Sequence, residues 1–174
     1  MNVADILTDG YTRIRETVHA AVGGLEPDDL NARLDEGANS IAWLVWHLTR
    51  VQDDHIADAA EAEQIWFTEG WAARFDLPVT KAATGYGHSS KQVGAVQVGS
   101  AELLLGYYDA VHNRSVAFVR GLDAEALDRI VDEAWSPPVT LGVRLVSVLS
   151  DDLQHAGQAA FVRGCLERRP DGLR

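Results

Sequence analysis

The segment Ser150-Asp151-Asp152-Leu153-Gln154-His155-Ala156-Gly157-Gln158 places a carboxylate and an imidazole four residues apart within an otherwise apolar pattern. If the segment is helical, Asp151 and His155 stand about one turn apart with roughly 40° between them, on the face that carries Val148, Ala159, Val162 and Leu166. Two polar groups on a core-facing seam are costly to bury unless each finds a partner, and a divalent cation satisfies carboxylate and imidazole together. A third donor, His47, lies on another expected helix far away in sequence. Three ligands from two helices leave a coordination position open for water or a thiolate, as in catalytic rather than closed structural sites. The same trio also reads as a buried hydrogen-bond network that fixes the packing of two helices, because Asp-x-x-x-His is a short and common pattern. Asp152 lies close to the same face, so spacing leaves open which of the two carboxylates coordinates.

Several other residues bear on such a site. His55, nearer the centre of its apolar stripe than His47 and about 12 Å further along the axis, reads as a core histidine, with a supporting role at the site as the alternative. Arg144 shares the Asp151 face; pairing with that carboxylate, binding an anionic group and reaching solvent are all open to it. Tyr86 and His88, in the glycine-flanked run Thr84 to Ser90, are placed to line a pocket, although loop histidines are more often surface residues. Trp43, Trp46, Trp66, Trp71 and Trp135 read as packing residues, some as walls of an apolar pocket. Cys165 has no base at activating spacing and reads as a packing residue.

The elements that must position these groups are helical. Val3, Ile6, Leu7, Tyr11, Ile14, Val18 and Val22 recur at helical spacing and predict a helix over 3–22, ended by Gly23-Gly24. A short helical turn begins at Pro27. Ser40 is the expected N-cap of a second long helix reaching about Ala60. Residues 61–98 are irregular, with short helical pieces at 64–67 and 71–75, and connections of this length often cover functional sites. A third long helix runs from Ser100 to Gly121, a short one follows over 123–129, and Pro137-Pro138 breaks the chain before Thr140 caps a fourth that reaches Leu166. No convincing strand is visible. Four amphipathic helices make an all-α four-helix bundle the economical way to bury their stripes, and the long second connection allows a crossover.

At 174 residues the chain suits one domain, expected to span 1–174. Its 15 basic and 26 acidic residues give a formal charge of −11, which argues against a nucleic-acid partner. A single cysteine allows no intrachain disulfide. The first residues lack the features of a signal peptide, and no apolar run approaches a membrane span, so the expected setting is cytoplasmic with no membrane partner.

The stretches Asn39 to His55 and Ser147 to Gly164 resemble the second and fourth helices of the DinB/YfiT-like superfamily of metalloenzymes, in particular the branch related to mycothiol-dependent proteins; the resemblance covers most of the chain. Members usually carry a histidine on helix two and His-x-x-x-His or Glu-x-x-x-His on helix four. The matching positions are His47, Asp151 and His155, and Gly157-Gln158 also fits the pattern. Asp151 departs from it: it supplies an anionic oxygen on a side chain one methylene shorter than glutamate. The resemblance implies an up-down-down-up bundle, often a homodimer, holding a divalent ion, commonly zinc or nickel. It further implies S-transfer or thiol-dependent isomerisation of a small electrophile with a thiol such as mycothiol. In that scheme Arg144, His55 and Tyr86 are the candidates for substrate contact or proton transfer. The rival readings are hydrolysis by a metal-activated water and a non-catalytic binding or stress-response protein acting through its surface.

Overall fold

The computed structural model describes residues 1–169. Four long helices carry it, and each begins where a short polar side chain can satisfy a free amide of the first turn. Helix α1 (Val3–Val22) starts in a capping box between Asn2 and Asp5. A short α2 (Pro27–Asn31) follows. Ser40 accepts from the Trp43 amide at the start of α3 (Ile41–Ala59), and Ser100 and Thr140 do the same work for α7 (Ala101–Arg120) and α8 (Leu141–Glu167). The apolar stripes of the four meet in one buried cluster that includes Tyr11, Ile14, Trp46, Leu48, Tyr107, Leu145 and Val148.

Helices α7 and α8 each pack against both α1 and α3, which leaves α1 and α3 on a diagonal. That order sets α3 beside α8, so His47 and the Asp151–His155 pair belong to neighbouring elements. No helix among the described residues is long and apolar enough to cross a membrane.

The connection between α3 and α7 contains α4 (Ile65–Thr68), α5 (Trp71–Phe75) and a further helix, α6 (Ser90–Ala95), too short to show a period in sequence. A buried ion pair ties this connection to the bundle. The Asp53 carboxylate accepts from the amides of Ile65 and Trp66 at 3.1 and 2.9 Å and from the Tyr107 hydroxyl at 2.9 Å. Arg50, fully buried, donates to Gln64 Oε1 at 2.8 Å and to the Ala83 carbonyl at 3.2 Å, and its guanidinium lies 4.8 Å from the Trp66 ring centre. The loop that follows Ala83 is thereby held over the middle of α3.

One expectation fails here. Two short strands, β1 (Ile130–Asp132) and β2 (Val139–Thr140), pair antiparallel across the loop containing the cis Ser136–Pro137 peptide. Strands of three and two residues are too short for alternation to show. The expected helix over 123–129 is a 3₁₀ turn at Glu125–Asp128.

Candidate metal centre

On α3 and α8, His47, Asp151 and His155 each bring one ligand atom within 4.8 Å of the other two. The imidazoles of His47 and His155 meet edge to face, ring centres 4.7 Å apart. His155 Nε2 stands 3.6 Å from Asp151 Oδ1, an ion-pair distance rather than a hydrogen bond.

Both rings are oriented from behind. His47 Nδ1 lies 2.6 Å from the Thr84 carbonyl oxygen, which only accepts, so Nδ1 carries the hydrogen and Nε2 keeps its lone pair. His155 Nδ1 lies 3.1 Å from Gln158 Oε1, and with the amide in this orientation it too donates and frees Nε2. Trp43 stacks on His47 with 4.6 Å between ring centres and turns its indole N–H to His88 Nδ1 at 3.2 Å. Sequence reasoning missed the Thr84 carbonyl altogether. Gln158 was visible only as part of the Gly157-Gln158 pattern.

Gly85 explains why the loop can come so close. Its φ of +98° is one that L side chains rarely adopt, and a Cβ there would sit 2.7 Å from His47 Nδ1 and 3.1 Å from Trp46 Cζ3. The same loop reverses the expected burial along α3: His47 is 5% exposed, whereas His55 is only partly covered. Helix periodicity could not foresee this, because the cover comes from the connection rather than from a neighbouring helix.

The two adjacent aspartates separate cleanly. Asp151 is at the edge of the α8 stripe, not within it, and its Oδ2 is buried without a protein partner. Asp152 occupies the buried centre instead; both of its oxygens and the hydroxyls of Tyr11 and Tyr108 lack partners. Burial, and then the charge of Asp151, push Asp152 well above the usual carboxylate range. Asp151 goes the other way: burial raises it, but His155, with His47 and His55 behind, more than offsets this and holds it low.

This donor set fits a divalent cation. Three atoms no more than 4.8 Å apart lie within about 2.8 Å of a common point, so small side-chain rotations bring them to the ~2.0–2.2 Å of zinc–nitrogen and zinc–oxygen bonds. Burial holds His47 below its ordinary value and therefore neutral. The neighbouring Asp151 raises His155, so a cation there competes with a proton for the His155 Nε2.

A cleft of about 480 Å³ opens onto the centre, lined by His47, Asp151, Val51, His55, Tyr86 and Trp135 among others. Two of the three sequence candidates, His55 and Tyr86, are therefore in it; Trp135 and Tyr86 are 66% and 92% exposed at its mouth. Burial and the nearby Arg144 lower the pKa of His55, whose Nδ1 stands 3.9 Å from Asp54. Arg144 pairs instead with Asp132 on β1 at 2.8 Å. A larger cavity of about 690 Å³, also lined by Thr84 and Tyr86, touches none of the three donors. Of the other sequence histidines, His19 pairs with Asp109 at 2.8 Å and His112 stacks on Tyr108.

Comparison with known proteins adds to this geometry. A family model described as mycothiol-S-transferase matches residues 7–167. A solved structure, described as the conserved protein of a locus from Enterococcus faecalis, superposes with a TM-score of 0.87 at 26% identity, covering 93% of this chain and 95% of that one. No curated protein matches the chain.

Proposed function

Because the chain belongs to the mycothiol-S-transferase family, within the DinB/YfiT-like fold, we propose that it is a divalent-metal-dependent enzyme that uses a mycothiol-like thiol for S-transfer to, or isomerisation of, a small electrophile. The observation that carries this reading is the pair of imidazoles whose Nδ1 atoms are both engaged by carbonyl oxygens, leaving two Nε2 lone pairs and an unpartnered Asp151 oxygen together beside a cleft. His47, Asp151 and His155 would hold the ion, zinc or nickel. When bound, the ion supplies a Lewis-acidic position that lowers the pKa of a thiol.

The remaining work falls to the chain. Thr84 and Gln158 fix the ring orientations, and the Trp43 ring holds His47 from its face. Val51 and Trp135 shield part of the cleft from water. His55, kept neutral, is the group in the cleft suited to accept the thiol proton, with Asp54 behind it. Tyr86 is placed to contact substrate at the mouth. Arg144, committed to Asp132, acts on His55 through its charge. The homodimer and the cytoplasmic setting implied by the resemblance belong to the same reading.

The test is to add zinc or nickel to metal-stripped protein and follow mycothiol consumption against a panel of electrophiles. Metal-dependent consumption is expected. Turnover of activated esters or amides without thiol would transfer the reading to hydrolysis, and no metal-dependent turnover across the panel would reject it in favour of a binding role.

A further inference from the structure

The cavity of about 690 Å³ differs from the metal-centre cleft in its charge. The cleft carries Asp54 and Asp151, whereas no residue lining the cavity is a carboxylate, a lysine or an arginine, on a chain of formal charge −11. Its polar lining is Thr80, Thr84, Tyr86, His88 and Gln92, and the rest is apolar. These groups still have hydrogen bonds to give. His88 Nδ1 accepts from the Trp43 indole at 3.2 Å, so Nε2 carries the hydrogen, and no hydrogen bond among the described residues uses it. Burial lowers the pKa of His88, which favours that neutral ring. Gln92 spends its Oε1 on the amide and hydroxyl of Ser89, which leaves its amide nitrogen. The Thr80 and Thr84 hydroxyls likewise meet no partner among the described residues. The volume lies within the ~300–1,000 Å³ of small-molecule sites.

The segment shared by cavity and cleft is held at both ends. Arg50 donates to the Ala83 carbonyl, His47 Nδ1 meets the Thr84 carbonyl at 2.6 Å, and the His88 amide returns to the Gly85 carbonyl at 3.1 Å. Between these anchors Tyr86, flanked by Gly85 and Gly87 at φ +98° and +71°, stands 92% exposed. Thr84 and Tyr86 line both hollows. A ligand lying across them has one end beside the three metal donors and the other among uncharged hydrogen-bonding groups, with an aromatic ring between. We propose that the cavity holds the uncharged, polyhydroxylated headgroup of the thiol, from which the sulfur-bearing arm crosses Tyr86 into the cleft. The proposal rests on the reading above for the identity of the thiol. Sugar and cyclitol hydroxyls both donate and accept, which suits threonine hydroxyls, an imidazole N–H and a side-chain amide. A headgroup bearing carboxylates finds no cation in this lining and works against the charge of the whole chain. Because the walls are already anchored, little order is lost when they are filled. Thr84 joins the two ends, since it lines the cavity and orients His47 through its carbonyl.

Titration of the metal-free full chain with N-acetylglucosaminyl-inositol, the mycothiol headgroup with acetyl in place of acetylcysteine, tests this by calorimetry and by nuclear magnetic resonance. Saturable binding with a Kd of about 1–10 mM is expected, and the Trp43 indole N–H resonance should move with it, because that N–H donates to His88. Thr80→Val, which keeps the shape of an exposed side chain, is expected to weaken binding at least about fivefold at an unchanged melting temperature, and His88→Ala at least as much. S-methylglutathione, anionic and without a free thiol, is expected not to bind. In turnover, Thr80→Val should raise KM for mycothiol by a similar factor and leave KM for N-acetylcysteine, the same arm without the headgroup, where it was. No binding of the headgroup at about 20 mM, binding that either substitution leaves unchanged, equal binding of S-methylglutathione, or a KM change shared by N-acetylcysteine would overturn the proposal. The titrations use neither metal nor free thiol, so their failure is distinct from failure of the metal-dependent chemistry.

Discussion

Helix α3 carries two polar clusters less than two turns apart, and they are finished differently. Around Arg50 and Asp53 nearly every donor and acceptor is spent: on two backbone amides, the Tyr107 hydroxyl, Gln64, a carbonyl and the Trp66 ring. Around His47, partners are supplied on one side only, by the loop residue Thr84 to His47 on α3 and by Gln158 to His155 on α8, and the inward-facing nitrogens and Asp151 Oδ2 are left open. The first network fixes structure: of the polar side-chain atoms of Arg50 and Asp53, Arg50 Nη2 alone lacks a partner. The open one, held from behind, is where the proposed cation would sit.

The contrast is sharpest in stability. Arg50→Ala should lower unfolding stability by about 3–5 kcal/mol, the cost of stranding the buried Asp53 charge, whereas His155→Ala should leave the metal-free melting temperature nearly unchanged. Equal losses in the two variants, read by chemical denaturation, would erase the distinction. Gly85→Ala links the clusters, because the loop it belongs to is hung from Arg50 and lies on His47; strain at positive φ with a 2.7 Å approach predicts about 1–3 kcal/mol of destabilisation together with weakened zinc binding. Gln158→Ala, at an exposed position, should cost under about 0.5 kcal/mol of stability but about 10–100-fold in zinc affinity. Isothermal titration of both variants checks the split.

The smallest effect is that of pH. His155 is raised by Asp151, so its part in the metal-free ion pair is fully present below about pH 6.5, its ordinary value, and is lost as pH rises through the raised one. Asp151 is depressed, so its part is present above about pH 3.8 and is lost as pH falls through the lowered value. A cation must displace the His155 proton, so zinc affinity should climb about tenfold per pH unit in a range centred above pH 6.5, levelling off once His155 is neutral. A plateau already reached below pH 6 would show that no such proton is displaced.

The four long helices were legible because twenty or so residues show a period and because Ser40, Ser100 and Thr140 mark their starts. The trio His47, Asp151 and His155 was legible from one-turn spacing and from the resemblance, but the choice between Asp151 and Asp152 was not. Helical angle separates the two aspartates by a single step, and only the packing of α1 and α7 shows which is enclosed. The Thr84 carbonyl escaped for a general reason: a backbone acceptor has no residue signature, and the contact depends on a loop folded by the Arg50–Asp53 pair far from it in sequence. Strands β1 and β2 and helix α6 escaped because they are too short for a period to repeat.

The central claim is that one cation is gripped by His47, Asp151 and His155. Elemental analysis of protein purified without chelator or affinity tag, alongside His155→Ala prepared identically, tests it most directly. About one zinc or nickel per chain in the wild type and essentially none in the variant is the expected result; equal metal in the two preparations would contradict the account.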